Sequence, residues 1–205
     1  MIDVSDPTNI VAIDSKTDAS AWNWNMPGAH GVETFTIGAS TYAIVTSQGG
    51  STSGVQIIDV SDPTNIVAKD AANALENEFE ELLWAHDVDI FTNGASTYAI
   101  VTARADNGVQ IIDISDPTNI VALDAKDGSD DREDGFTALL GARGVDTFTI
   151  GASTYAIVAS QQSDGVQIIK LSTATATGDD VISINKNINT SLSESIALGD
   201  SISVG

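Results

Sequence analysis

The sequence predicts an all-β fold built from repeated four-stranded antiparallel units, and three observations carry that prediction. The stretch GASTYAIV recurs at residues 38–45, 94–101 and 151–158, and each copy is followed by GVQII. The spacing of roughly 55 residues is typical of architectures built blade by blade. Nearly every residue of the repeat favours strands or tight turns.

Each repeat divides into four predicted strands. The first, at residues 32–37, 88–92 and 145–150, is rich in β-branched and aromatic residues. The second contains the apolar run TYAIV, which is typical of a strand buried on both faces. The third is GVQII, and the turn Asp-Pro-Thr-Asn then leads to an outer strand, NIVA. Two hairpins therefore join into one four-stranded unit.

The outer strand also occurs before the first complete unit, at residues 9–13, whereas the third unit lacks one. We therefore expect this opening segment to supply the outer strand of the last unit, because closure protects strand edges. Three units are fewer than the four to eight blades of β-propellers. The count favours half of a six-bladed ring, completed by a second chain or by a longer parent protein.

Residues 1–172 are expected to form the repeat array, and residues 173–205 a Ser/Thr-rich linker with an amphipathic β tail. Apolar residues of the tail fall on even positions: Ile182, Ile184, Ile188, Leu192, Ile196, Leu198, Ile202 and Val204. This period of two predicts a strand. A lone strand needs a partner sheet, so the tail is a candidate for docking on another chain.

Composition excludes several partners. The formal net charge is -21, with 29 acidic residues against eight Lys and Arg, so nucleic acids and anionic membranes would be repelled. No apolar run reaches the length of a membrane helix. The sequence contains no Cys, so disulfides play no part in the fold.

The segments between the units differ from one another and are the natural place for function. In the middle one, residues 71–85, apolar residues at helical spacing predict a short amphipathic helix. Three tryptophans lie in these segments: Trp22, Trp24 and Trp84. They either pack on the ends of the units or form ligand-binding anchors that stack on sugar rings.

One repeat position carries His30, His86 and Arg143. Three residues later come the acids Glu33, Asp89 and Asp146. Repeat symmetry predicts that these six side chains form a polar ring about the axis, which either binds a small ion or braces neighbouring units. Arg143 is not a metal ligand and breaks the repetition, which favours bracing, and no metal site is predicted.

A calcium loop is suggested by the alternation of four side chains: Asp127, Ser129, Asp131 and Glu133. Arg132 replaces the glycine and Ala138 the final acid that an EF-hand requires. The segment is therefore either a solvated acidic loop or a looser calcium site, and no other cofactor is expected.

Motifs of catalysis are missing. The sequence has no Cys nucleophile, no G-x-S-x-G, no H-E-x-x-H and no phosphate-binding G-x-x-x-x-G-K-[ST]. We therefore expect a non-enzymatic protein with no catalytic residues.

The repeat resembles the LVIVD-repeat family of bacterial and archaeal β-propellers, many of them secreted or borne on the cell surface. The resemblance rests on A-x-x-V-D-x-F-x-x-G-x-x-x-Y-A-I-V followed by G-V-Q-I-I-D-V-S-D-P and covers about residues 2–171. In the last copy Lys170 replaces Asp, and STA replaces SDP, which suggests that the array ends there. The family implies a propeller architecture and an extracellular or cell-surface location.

These observations favour an acidic, extracellular scaffold or adhesion module that contacts proteins or glycans and self-associates, as a ring-completing dimer or through the tail. One alternative is a carbohydrate-binding, lectin-like propeller. A second is a surface-layer or filament component stabilised by divalent cations.

The excess of negative charge predicts that the chain is more stable in salt. Ions screen the mutual repulsion of the carboxylates, so the melting temperature should rise as NaCl is increased. Thermal denaturation followed by circular dichroism measures this, and a flat or falling melting temperature would contradict the prediction.

Overall fold

The computed structural model describes residues 2–3, 8–9, 11–17, 26–128, 135–171 and 184–185. Within these ranges the only helical element is a single 3-10 turn, Gly50–Thr52. The predicted all-β fold with three four-stranded antiparallel units is confirmed. None of the helices in this part of the chain has the length and hydropathy needed to span a bilayer.

The three large sheets share one antiparallel strand order. The first sheet contains β3 (Ala29–Ile37), β4 (Ser40–Ser47), β5 (Gly54–Asp59) and β6 (Val67–Asn73). The second contains β7 (Ala85–Asn93), β8 (Ser96–Ala103), β9 (Gly108–Asp113) and β10 (Val121–Asp127). The third contains β11 (Ala142–Ile150), β12 (Ser153–Ser160), β13 (Gly165–Leu171) and the two-residue β14 (Ile184–Asn185). A separate two-stranded sheet joins β1 (Ile2–Asp3) to β2 (Val11–Ala12).

The first hairpin of each sheet turns through a two-residue Gly-Ala loop. Its glycine has a positive φ in all three copies, 61° at Gly38, 62° at Gly94 and 61° at Gly151, a conformation that glycine adopts without steric cost. Next to the loop a Phe and a Tyr lie opposite each other, with ring centroids 5.5, 5.3 and 5.5 Å apart: Phe35 with Tyr42, Phe91 with Tyr98 and Phe148 with Tyr155. Local sequence therefore sets the register of each hairpin.

The core lies between neighbouring sheets. The inner strands β3, β7 and β11 contact one another in that order, so the sheets stand side by side like the blades of a propeller. One cluster packs residues of the first sheet, such as Ile44 and Ile57, against Val101 and Ile112 of the second. A second cluster repeats this arrangement between the second and third sheets. Closure of the row into a six-bladed ring stays a prediction.

The opening segment does not lie where the sequence predicted. Val11–Ala12 pairs with Ile2–Asp3, and the partner at the outer edge of the third sheet is Ile184–Asn185. The segment contacts the first sheet instead, where the amide of Ile66 donates to Oδ2 of Asp14 at 3.1 Å. Residues 11–17 therefore lie beside the first sheet and do not close the last one.

The helix predicted for residues 71–85 is also wrong. Strand β6 continues to Asn73, whose side-chain oxygen then accepts the amide of Leu75 at 2.9 Å. The rest of the segment is a series of turns. Phe79 and Leu82 are nevertheless buried between the sheets, so the apolar spacing reflects core contacts made from an irregular connection.

Candidate functional site

The polar residues predicted to meet at the axis do lie at equivalent places, at the start of β3, β7 and β11. The imidazole rings of His30 and His86 are 3.8 Å apart between centroids and tilted by 47°. Nδ1 of His30 is 3.0 Å from the carbonyl oxygen of His86. The first two members of the predicted ring are thus in direct contact across neighbouring sheets.

Threonine hydroxyls link the inner strands at this end. The amide of Gly31 donates to Oγ1 of Thr46 at 2.8 Å, and the same hydroxyl donates to the carbonyl of His86 at 2.8 Å. Thr102 repeats the link between the second and third sheets and donates to the carbonyl of Arg143 at 2.7 Å. Each threonine therefore joins a bulge of its own sheet to the next sheet.

The acids of the ring do not converge on one point. Oδ2 of Asp89 accepts the amide of Thr147 on the next sheet, whereas Oε1 of Glu33 accepts the amide of the adjacent Thr34 at 3.0 Å. Asp146 is exposed. Among the residues that the structure describes, no group of three or more His, Cys, Asp or Glu side chains could hold a metal ion. Two of these acids, Glu33 and Asp89, thus accept backbone amides.

Sequence reasoning missed Asp87, which lies between the predicted residues. Its Oδ2 accepts the amide of Val145 from the third sheet at 3.1 Å, and its own amide donates to Thr102 Oγ1 at 3.0 Å. The equivalent residues are Gly31 and Gly144. Because only one copy is acidic, the repeat pattern gave no signal for it.

The surroundings of the axial histidine in the middle sheet favour its neutral form. Burial lowers the pKa of His86, and the nearby His30 and Arg143 lower that pKa further. Nδ1 of His86 and Nε of Arg143 are buried and have no hydrogen-bond partner among the described residues. An imidazole in tilted contact with a second imidazole on the next sheet fits a bracing role.

Trp84 is the only one of the three predicted ligand-binding tryptophans within the described residues, since Trp22 and Trp24 lie outside them. Its side chain is 39% exposed and its backbone is left-handed, with φ 58°. The amide of Trp84 donates to Oγ of the buried Ser53 at 2.8 Å. The guanidinium of Arg104 lies 5.3 Å from the centre of the indole ring. The ring is therefore fixed in place and open to solvent on the connection between the first two sheets.

A buried carboxyl on the same connection was not foreseen. A Cβ atom built on Gly108 would lie 2.4 Å from Oε2 of Glu81, which places this carboxyl directly over the third strand of the second sheet. Burial, together with the nearby charges of Asp106, Asp127 and Glu80, raises the pKa of Glu81 to about 8. Burial also raises the pKa of Asp106, whose Oδ2 accepts the amide of Leu83 at 2.7 Å. No motif signals this group, because its environment comes from the packing of the connection on the sheet.

The suggested calcium loop is described only in part. Asp127 ends strand β10, and Ser129, Asp131 and Glu133 lie outside the described residues. A calcium site in this segment stays a prediction.

Two segments match the family model described as LVIVD repeat, residues 42–73 and 96–123. Among solved structures, the chain is similar to a thermostable family-43 glycoside hydrolase, with 14% identity over 79% of this chain and 55% of that chain and a TM-score of 0.51. A Bombyx mori GH32 beta-fructofuranosidase matches with 12% identity over 82% of this chain and 39% of that one, with a TM-score of 0.49. No curated protein matches the sequence. The chain thus spans about half the length of the first of these hydrolases.

The three adjoining four-stranded sheets define a protein of the β-propeller class. The likeness to the family-43 hydrolase agrees with this fold and concerns the fold alone. More particularly, two of the three repeats match the LVIVD-repeat model, at residues 42–73 and 96–123, so the resemblance seen in the sequence is confirmed there.

The threonine link gives a direct test of bracing. Replacing the buried Thr102 by Val keeps the shape but leaves the Asp87 amide and the Arg143 carbonyl without the hydroxyl, so the free energy of unfolding should fall by about 1–3 kcal/mol. Thr102→Ser keeps the hydroxyl and should lose less. Urea denaturation measures both, and equal losses would show that the hydroxyl bond does not matter.

Glu81 predicts a specific dependence of stability on pH. Its pKa is about 8 in the folded chain against an ordinary 4.5, so between these values the folded chain keeps a proton that the unfolded chain has lost. Stability should therefore fall as pH rises from about 4.5 to about 8 and change little above that. Glu81→Gln should flatten this decline and raise the melting temperature at pH 9.

The matched control is Glu78→Gln, which removes an exposed carboxylate on the same connection that is not among the groups raising the pKa of Glu81. It should leave the decline between pH 4.5 and 8 in place. If both variants behave like the wild type, the Glu81 carboxyl is not protonated in the folded chain.

Proposed function

We propose that this protein is a non-enzymatic, extracellular or cell-surface scaffold that presents its inter-sheet connections to other proteins or to glycans and assembles with itself. The observation that carries the proposal is the set of hydrogen bonds that polar side chains near the axis make to the next sheet. Asp87, Asp89 and the two link threonines all bond to backbone groups of the next sheet. Side chains committed to holding neighbouring sheets together support a structural role.

The repeat type, the net charge and the variable connections also fit this role. Repeats of the LVIVD type imply a secreted or surface location, and a net charge of -21 keeps such a module soluble and away from anionic polymers. The connections vary while the sheets repeat, which is the usual arrangement of a rigid frame carrying recognition loops. Divalent-cation stabilisation of a surface layer or filament stays an alternative within this role.

A carbohydrate-binding function is a second candidate, and the fixed, exposed ring of Trp84 favours it. Aromatic faces stack on apolar faces of sugars. Ser53 fixes the backbone of Trp84 and Arg104 packs on its ring, so the residue loses little freedom on binding. Arg104 also offers donors beside the ring to sugar hydroxyls.

One experiment addresses both candidates and the absence of catalysis. The chain is applied to a glycan array, and a panel of oligosaccharides is incubated with it and analysed for cleavage. The scaffold proposal expects no cleavage, and turnover that persists in purified protein would overturn it.

The lectin candidate expects binding that Trp84→Ala reduces at least about tenfold, which corresponds to about 1.4 kcal/mol. Leu75→Ala is the control, since Leu75 is 65% exposed on the same connection. Equal binding by both variants would remove Trp84 as the anchor.

A further inference from the structure

We propose that residues 11–17 of one copy form the outer strand of the third sheet of a second copy, and that two copies close a six-sheet ring through two such exchanges. This inference deepens the self-assembly part of the proposed function and rests on it. The first observation is the exposure of β13. Val166 is 58% exposed, whereas its equivalents Val55 and Val109 are completely buried.

The buried amide side chain of each third strand shows what is missing. In the first sheet Nε2 of Gln56 donates to the carbonyl of Asp70 on the outer strand at 2.7 Å. In the second sheet Gln110 donates to the carbonyl of Asp124 at 3.0 Å. Gln167 occupies the same position, but among the described residues its Nε2 donates only to the adjacent Ile168 carbonyl.

The segment 11–17 already has the local structure of an outer strand. Oδ2 of Asp14 accepts an amide from the next sheet, as Asp70 does from Ile120 at 2.8 Å. Nζ of Lys16 lies 2.7 Å from the Asp14 carboxylate, which repeats the contact between Lys126 and Asp124. This segment therefore stands where the outer strand of a preceding sheet belongs.

The glycine that opens the third strand gives independent evidence. A Cβ atom at Gly54 would lie 2.0 Å from the Ala72 carbonyl oxygen, and one at Gly108 would lie 2.5 Å from that of Lys126. Glycine is therefore required wherever an outer strand is present. At Gly165 the nearest atom is the Ser163 oxygen at 3.5 Å, so nothing in the single chain requires a glycine there.

The two ends of the row are complementary. Val32 on the first sheet is 61% exposed, whereas its equivalent on the second sheet, Val88, is 4% exposed because the first sheet covers it. The exposed face of the third sheet is equivalent to the face of the first sheet that covers Val88. Contact between the end of one copy and the start of another would therefore repeat an interface already present twice in the chain.

The copy's own segment cannot make this contact, because Asp14 holds it on the first sheet and the second sheet lies in between. Propellers contain about four to eight blades, and two copies of the three-sheet row bring six sheets together, which lies in that range. The register of the new strand pair follows from the second sheet, where Val109 lies opposite Lys126. The equivalent residues are Val166 and Lys16, so these two should lie opposite each other.

Exchange replaces two short pairings. In the first sheet Ile58 pairs with Ala68. Their equivalents are Ile169 and Ala12, so in the dimer Ile169 of one copy pairs with Ala12 of the other and displaces Ile2 from it. The two-residue strand Ile184–Asn185 is displaced from the outer edge of β13. Ala159 replaces the link threonine at this junction, so the contact lacks one axial bond, and we expect a dimer that dissociates on dilution.

Mass in solution, measured by light scattering over a range of concentrations, tests the proposal. The wild type should pass from one to two chain masses as concentration rises. Gly165→Ala should weaken the dimer at least about tenfold, because its Cβ meets the incoming strand. At dilutions where the wild type is monomeric, this variant should keep the wild-type melting temperature.

Two comparison variants make the result specific. Gly54→Ala places the same methyl group against an outer strand of its own chain and should lower the melting temperature of the monomer, while Leu75→Ala should change neither property. A wild type that is monomeric at every concentration, or a Gly165→Ala dimer of unchanged strength, overturns the proposal. Glycan binding does not enter these readouts, so a failure here is separate from a failure of the proposed function.

A second experiment tests the register. The chain has no Cys, so a Lys16→Cys copy mixed with a Val166→Cys copy under mild oxidation should give a covalent pair of the two different copies. Lys16→Cys mixed with Ile150→Cys is the control, because Ile150 is 64% exposed on the same sheet but lies on β11, at the opposite side of the sheet from β13. Equal yields, or no covalent pair with Val166→Cys, would overturn the strand exchange.

Discussion

The structure depends on hydrogen bonds that run from side chains of one sheet to the backbone of the next. Near the axis the hydroxyl of a buried threonine makes this bond, and at the rim an outer-strand aspartate such as Asp70 does so. Apolar contacts between sheets supply most of the stabilising energy but are not directional. The polar bonds fix the offset between sheets, because only one alignment satisfies the buried donors and acceptors.

The repeated strands could be predicted because their local sequence determines them. A Gly-Ala loop and the Phe–Tyr pair beside it set each hairpin, and both recur three times. The connection at residues 71–85 could not be predicted in the same way. Its apolar spacing fits a helix, but Asn73 and Ser53 bind its backbone and hold it in turns. The conformation of this connection is therefore set by the sheets on which it packs and not by its own helix propensity.

Repeat symmetry predicts where the axial residues lie but not which atoms they contact. The contact between His30 and His86 follows from their equivalent positions. Asp87 and Glu81 break the repeat, and their roles come from which backbone amide or strand lies opposite them. A sequence period identifies groups that recur, whereas singular groups become visible only once neighbouring sheets are in place.

The bulge in each outer strand has a consequence for how the chain avoids misfolding. Strands β6 and β10 shift register next to Asp70 and Asp124, beside the outward residues Lys69 and Leu123. Near-identical repeats at high local concentration invite wrong pairing between molecules and growth of cross-β fibrils. A kinked margin is a poor template for such growth, so the bulges of β6 and β10 disfavour the addition of further strands to a repetitive polypeptide.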